Sequence, residues 1–313
     1  MRPPERFRFR AMGSPCELRL YGPPGRVARA AESALREVRR LEAKYSRFRD
    51  DSLTAAIHAS AGTGSGIEVD PETASLLDYA AAAWRESGGR FDITSGVLRR
   101  AWDWKSGRLP AAGQIAALLP LIGFDKLRWE RPRLWLPRAG MELDFGGFVK
   151  EYAADRAAGC CREAGVARGL VDLGGDLAAI GPHPDGSAWR VGVRDPRRPE
   201  RALAQVELRS GAIASSGDYE RGMWVDGVRY SHILDPRTGW PARGPAAVSV
   251  VAPHCLVAGT ATTVAMLHPP AAARRFLRGL GLPHLCVLPD GSVTGSLSAH
   301  RDSGSPPARS PAA

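Results

Sequence analysis

Trp189-Arg-Val-Gly-Val193, Ala204-Gln-Val-Glu-Leu208, Ala212-Ile-Ala-Ser215, Met223-Trp-Val225, Val228-Arg-Tyr-Ser231 and Ala247-Val-Ser-Val-Val251 follow one another between residues 189 and 251. Each is a short apolar or alternating stretch of the kind that forms a strand. No helical spacing interrupts them. The run reads as a long antiparallel meander.

Helices lie upstream and downstream of it. Val27, Ala31, Leu35, Val38, Leu41 and Tyr45 recur in steps of three and four, which predicts an amphipathic helix over 27–45. A second helix is expected over 71–84, with Pro71 at its start, where a missing N–H costs nothing. A weaker helix is expected over 111–121. Strands at 7–9 and 16–21 flank the turn Met12-Gly-Ser-Pro15, and 134–136 with 141–145 reads as a hairpin around Pro137-Arg-Ala-Gly140. A helix over 148–164 is entered through Gly146-Gly147, and a buried strand over 169–173 ends in Gly174-Gly175-Asp176. Helices over 256–266 and 270–280 and a strand over 285–288 complete the reading. Helices first and in the middle, with strands dominating later, make an α+β class rather than alternating βαβ units. The expected organisation is a single domain over 5–297 of mixed or antiparallel sheets with packed helices. The tail 298–313, rich in Ser, Pro and Ala, cannot bury enough apolar surface to order itself.

The chain has 313 residues and a formal net charge of +10. Of its 43 basic residues 39 are arginines, scattered as singles and pairs. A nucleic-acid footprint concentrates its charge in a run or stripe, so no nucleic-acid partner is expected. No apolar run reaches the ~18 residues that suggest a membrane span, and the charged N-terminus does not read as a secretory signal. The five cysteines are odd in number and lack C-x-x-C spacing. That pattern suits a reducing compartment, so the cytoplasm is the expected location.

Several segments carry chemistry. Gly89-Arg-Phe-Asp-Ile-Thr94 sets the flat face of Phe91 beside a carboxylate, a pairing that suits a planar ring with a polar edge or an ordinary helix-to-strand connection. In Leu143-Asp-Phe-Gly-Gly-Phe-Val-Lys150 a strand stops at Asp144, glycines turn it and a helix begins. A helix start is a ready anion site, because its first N–H groups lack partners. There the Gly147 carbonyl is open to a cation and Lys150, one turn in, is within reach of a phosphate. Asp172-Leu-Gly-Gly-Asp176 allows close backbone approach to a ligand but also fits a tight β-turn. His232 precedes Asp235-Pro-Arg-Thr-Gly239, a setting suited to acid–base work. In the helix after residue 255, Thr263 is open to two readings: a hydroxyl bonded to its own helix, or a ligand of a hard cation.

In order and identity these segments, together with Met12-Gly-Ser14, Tyr45-Ser-Arg-Phe-Arg-Asp-Asp-Ser52 and Ala214-Ser-Ser-Gly-Asp218, resemble the FAD:protein FMN transferase (ApbE) family over nearly the whole chain. The resemblance implies an enzyme that binds FAD with Mg²⁺ and moves FMN onto a Thr or Ser hydroxyl of an acceptor flavoprotein, releasing AMP. It implies FAD contacts at Met12, Phe48, Phe91, Asp92, Ile93, Asp144, Lys150 and Ile233. It also implies metal ligands at Gly147, through its carbonyl, and at Thr263, and a role for His232 in transfer. An acceptor in the cytoplasm or at the inner face of a membrane is the expectation.

The chain departs from the family pattern at two positions. Asp172 stands where Asn is common. More consequentially, the pattern has an Asp four residues before the metal-binding Thr, and here that residue is Gly259. Hard cations prefer carboxylates. Three outcomes are open: weaker Mg²⁺ binding through Gly147, Thr263, water and the FAD phosphates; a substitute acidic residue from elsewhere; or a flavin-binding or flavin-delivery protein without catalysis. On this reading an aspartate restored at 259 tightens Mg²⁺ binding.

Overall fold

The computed structural model describes residues 2–198, 200–219 and 222–297. The expected tail, 298–313, lies outside the described residues. In chain order the elements are β1 (Glu5–Ala11), β2 (Ser14–Tyr21), α1 (Pro24–Tyr45), α2 (Leu53–Ala59), β3 (Ile67–Glu68), α3 (Pro71–Glu86), α4 (Ala112–Leu118), β4 (Arg128–Glu130) and β5 (Arg133–Trp135). There follow α5 (Val149–Glu163), β6 (Arg168–Leu173), β7 (Asp176–Gly181), β8 (Trp189–Arg194), β9 (Ala202–Leu208), β10 (Ala212–Gly217), β11 (Gly222–Val225) and β12 (Val228–Ser231). The last are β13 (Ala247–Ala252), α6 (Cys255–Leu267), α7 (Pro270–Gly279), β14 (His284–Val287) and β15 (Val293–Gly295).

An eight-stranded sheet in the order β1-β2-β6-β7-β10-β13-β14-β15 organises the chain. Every pairing in it is antiparallel. Successive side chains point to opposite faces of a strand, and both faces of the central strands are covered. Val171, Ala178, Ala214 and Val250 join α1, α5 and α6 in one core, whereas Leu170, Ala179, Ile213 and Leu285 join Trp189, Val206 and Leu208 of β8 and β9 in another. Burial on both sides explains why β7 and β14 read as continuous apolar runs rather than alternating ones. A smaller core around Trp102 gathers Val97, Leu98, Ile115 and Met223.

The α+β class holds, but the expected meander is divided. Of its strands, β10 and β13 sit in the large sheet, β8–β9 pair alone on its outer face, and β11–β12 form a separate ribbon. Strands adjacent in sequence are not adjacent in space here: β7, which follows directly on the Gly174-Gly175 turn, is the partner of β10. The expected hairpin of 134–136 with 141–145 is also corrected. Arg133–Trp135 pairs with β4 and β3 instead. Residues 141–144 run extended without a ladder, because Leu143 N–H bonds to His58 Nε2 (3.0 Å) and Asp144 N–H to the Ile93 carbonyl (2.7 Å). Side-chain partners of that kind leave no periodic mark in a sequence.

A charged cluster on the helical layer ties α1, α3 and α5. Glu72 accepts from Arg40 (2.7 Å), Lys44 (2.8 Å) and the Tyr152 hydroxyl (3.1 Å). Burial pushes its carboxyl up, but the Arg40 and Lys44 charges outweigh that and hold its pKa down at about 2. A depressed carboxylate stabilises the fold above its unfolded value and loses that contribution as pH falls through the folded one. Stability is therefore expected to fall between pH 4.5 and about 2, and Glu72→Gln to flatten that part of the profile, measured by urea unfolding across pH. An unchanged slope in the variant would remove Glu72 from the account.

Candidate functional site

The start of α5 gathers the chemistry. Asp144 ends the extended run, accepts from Gly146 N–H (2.8 Å) and pairs with Arg47. The backbone then makes one 3₁₀ turn over Phe145–Gly147 before α5 begins. Phe145 and Phe148 are fully buried and pin this turn against Tyr45, Tyr79 and Phe91. The α5 ladder opens with Tyr152 N–H donating to the Phe148 carbonyl (3.1 Å), one residue beyond Gly147, so the Gly147 carbonyl stays outside it.

Lys150 and Glu151 follow, and both point inward. Lys150 Nζ lies 2.5 Å from Asp176 Oδ2, at the start of β7. Burial pulls the Lys150 pKa down, but the Asp176 and Glu151 carboxylates outweigh it and hold the ammonium above the ordinary lysine range. The Gly174-Gly175 turn that precedes Asp176 is itself crowded. Gly174 has φ +66, and a Cβ there would lie 2.6 Å from Ser14 Cβ and 3.8 Å from Lys150 Nζ. Only glycine lets the 12–14 turn, the 174–175 turn and the lysine meet. Met12 has φ 50 and donates its N–H to Glu42.

Glu151 is buried and its Oε2 has no hydrogen-bond partner among the described residues. Burial, and then the Asp176 charge, push its carboxyl well above the usual range. Its side chain fills the space beside Gly259 of α6: a Cβ built on Gly259 would lie 2.5 Å from Glu151 Cγ and 3.0 Å from Oε1. Further along α6, Thr262 donates to the Gly259 carbonyl (2.8 Å) and meets the Ser216 hydroxyl at 2.8 Å. Thr263 is half-buried. Asp155, one turn after Glu151, accepts from Cys255 N–H (2.8 Å) and Leu256 N–H (3.0 Å) and so caps α6.

The contacts join the 12–14 turn, the start of α5 from Asp144 to Glu151, and Gly259 of α6, and Thr263 follows one turn after Gly259 on the same helix. Phe48 reaches this group through Arg47, whose guanidinium lies 4.9 Å over its ring, and the residue is 82% exposed. Phe91 and Asp92 are instead in the core. The Phe91 ring packs on Phe148 (6.0 Å), and Asp92 accepts from Thr94 N–H (2.8 Å), the Thr94 hydroxyl (2.6 Å) and Phe124 N–H (3.0 Å). These two residues position the loop, and Ile93 bonds Asp144 through its carbonyl. His232 and Ile233, both half-buried, belong to the turn after β12, where Ile233 N–H donates to Ser231 Oγ (3.2 Å). A surface cavity of about 490 Å³, lined by Glu68, Asp70 and Arg131, shares no residue with this group.

Sequence reading missed Glu151 and Arg47. Glu151 left one signal: a carboxylate four residues before Asp155 on a helix whose other fully buried positions are apolar.

Against known proteins, residues 12–285 match the model of the ApbE family. The chain is 30% identical over 307 residues to the FAD:protein FMN transferase of Treponema pallidum, covering 91% of this chain and 84% of that protein. It is 32% identical over 265 residues to the FAD:protein FMN transferase of Rhodobacter capsulatus, covering 82% of this chain and half of that protein. The crystal structure of the ApbE protein from Thermotoga maritima superposes with a TM-score of 0.86 at 32% identity, covering 94% of this chain and 97% of that one. The apo form of the Pseudomonas stutzeri flavinyl transferase ApbE gives 0.82 at 29% identity, covering 94% of both.

Breaking a buried ion pair from one side costs about 3–5 kcal/mol, because it strands the other charge. Lys150→Met is expected to lose stability toward the lower end of that scale in urea unfolding, because the Lys150 side chain is 27% exposed while Asp176 is buried. The double variant Lys150→Met/Asp176→Leu is expected to lose less. Equal losses would show that the pair is solvated rather than buried.

Proposed function

From the premise that the chain belongs to the ApbE family, we infer that it is an FAD:protein FMN transferase acting on an acceptor flavoprotein. The observation that carries this reading is the meeting of Lys150, the open Gly147 carbonyl and the Gly174-Gly175 turn at the start of α5. It is an anion-receptive helix start with a fixed ammonium.

In the reaction the acceptor hydroxyl oxygen attacks the FMN phosphorus of FAD. An O–P bond forms to the acceptor, the bond from that phosphorus to the bridging oxygen breaks, and AMP leaves with that oxygen. The hydroxyl proton must go to a base. We assign that part to His232, since imidazole is the side chain most often used for acid–base work. Lys150 lends positive charge to the phosphates while Asp176 fixes its position. Phe48 offers an exposed aromatic face for a flavin or adenine ring, Met12, Asp144 and Ile233 are assigned to the approach, and Ile93 acts through its carbonyl bond to Asp144. Phe91 and Asp92 act through the loop they brace.

A hard divalent cation fits the residues present. Gly147 offers a carbonyl outside the helix ladder, Thr263 a hydroxyl, and the Glu151 Oε2 is buried without a partner. Held by these residues, Mg²⁺ would supply positive charge to the phosphate oxygens. No group of three or more His, Cys, Asp or Glu clusters among the described residues, and Mg²⁺ is commonly held by one or two carboxylates with substrate phosphates and water. The rival reading, a flavin carrier without catalysis, rests on a missing carboxylate at 259, and Glu151 supplies one beside that position.

Incubation with FAD, Mg²⁺ and a candidate acceptor flavoprotein is expected to release AMP and to add the mass of FMN at a Thr or Ser. No AMP and no mass gain across acceptors would overturn the reading. His232→Ala is expected to slow transfer by about 10²–10⁴ with FAD affinity little changed.

A further inference from the structure

We propose that Glu151 is the anionic protein ligand of the divalent cation in this chain, supplied from α5 into the space left by Gly259 on α6. The proposal rests on the cation reading of the preceding subsection and adds which residue carries the charge.

Three observations converge on it. The first is an unpaired oxygen. Glu151 is 9% exposed, and its Oε2 meets neither solvent nor a donor among the described residues. A buried polar group without a partner is costly, so the geometry calls for one. The second is charge. Glu151 and Asp176 are two carboxylates in one buried region, and Lys150 is the single cation ion-paired there among the described residues. Lys150 is committed to Asp176, so the Glu151 carboxyl has no cation of its own among the described residues. The third is shape. Gly259 offers no side chain, and the volume its Cβ would take is filled by Glu151 Cγ and Cδ, at 2.5 and 2.9 Å. Glu151 therefore cannot coexist in this position with a side chain at 259. The carboxylate and the glycine are a matched pair across the α5–α6 contact.

The expectation that an aspartate at 259 tightens Mg²⁺ binding is corrected by this geometry. In the present background the new Cβ drives the buried Glu151 out. The gain is expected only when residue 151 is cut back at the same time.

Mn²⁺ serves as the probe, measured by electron paramagnetic resonance on the full chain with FAD bound, so the readout does not depend on turnover. FAD binding, followed by flavin fluorescence, reports whether each variant is folded. Glu151→Gln, which keeps the shape and removes the charge, is expected to weaken Mn²⁺ binding tenfold or more, since even residues that only orient a ligand cost about 10–100-fold. Gly259→Asp alone is expected to weaken it too. Glu151→Gly/Gly259→Asp, which returns the carboxylate from α5 to α6, is expected to recover much of the wild-type affinity. Wild-type Mn²⁺ affinity in Glu151→Gln overturns the assignment and leaves the cation reading standing. Tighter binding in Gly259→Asp alone also overturns it, because Glu151 would not be filling the site. If the wild-type chain transfers FMN yet binds no Mn²⁺, the cation reading falls and the assignment with it. Should Glu151→Gln not fold, the double variant decides: recovery supports the carboxylate exchange, and loss of Mn²⁺ binding in a chain that still binds FAD overturns it.

Discussion

The first turn of α5 carries an ammonium and a carboxylate into the interior, where they meet a second carboxylate at the start of β7. Uncompensated, either charge would be expensive to bury. The Lys150–Asp176 pair at 2.5 Å makes the arrangement tolerable and fixes where α5 sits over the sheet. The glycines follow from it. Gly174 is required because Ser14 and the lysine crowd its turn, and Gly259 because Glu151 needs its volume. The capping of α6 by Asp155 belongs to the same constraint, since it fixes the helix whose Gly259 face receives Glu151. Three elements distant in sequence are thus locked to one short helical turn.

Much of this was legible in the sequence. The helices at 24–45, 71–86, 149–163 and 255–267 announce themselves through spacing, Pro at a start or Gly before a start. The strands at 14–21 and 168–173 do so through apolar runs between turn residues. What the sequence does not carry is which strands are neighbours. β10 lies between β7 and β13 in the sheet, while β8 and β9 separate it from β7 in the chain. Spacing along the chain is blind to that, because pairing is decided by which face needs cover. The extended run at 141–144 was misread for a related reason. Its backbone is satisfied by an imidazole and a distant carbonyl rather than by a strand.

The site shows the same division. Lys150, Asp144, Gly147 and Thr263 sit in segments whose residue types suggest an anion or a hard cation. Phe91 and Asp92 sit in a similar segment, yet the fold turns them inward, and Asp92 spends its oxygens on Thr94 and Phe124. An aromatic beside a carboxylate is the same string whether it faces a ligand or a core. The +10 charge is less informative still. Arginines pair locally along the surface, as in Arg40 with Glu37 and Arg128 with Glu130, and the charges that organise the site are few and internal.

Gly259 illustrates why a ligand position and a ligand charge are separate questions. Read along the chain, a glycine where a carboxylate is expected is a lost ligand, and a lost ligand suggests lost chemistry. A cation, however, responds to where oxygen atoms are and not to which helix carries them. Glu151 is longer than aspartate by one methylene, and it approaches across a helix–helix contact, so the same region of space is reached from the opposite side. The requirement is then reciprocal: the donor helix needs a long acid, and the receiving helix needs no side chain at all. Neither residue is interpretable alone. A glycine in the middle of a helix costs about 0.5–1 kcal/mol relative to alanine, and here the buried carboxylate beside it gives that cost a reason.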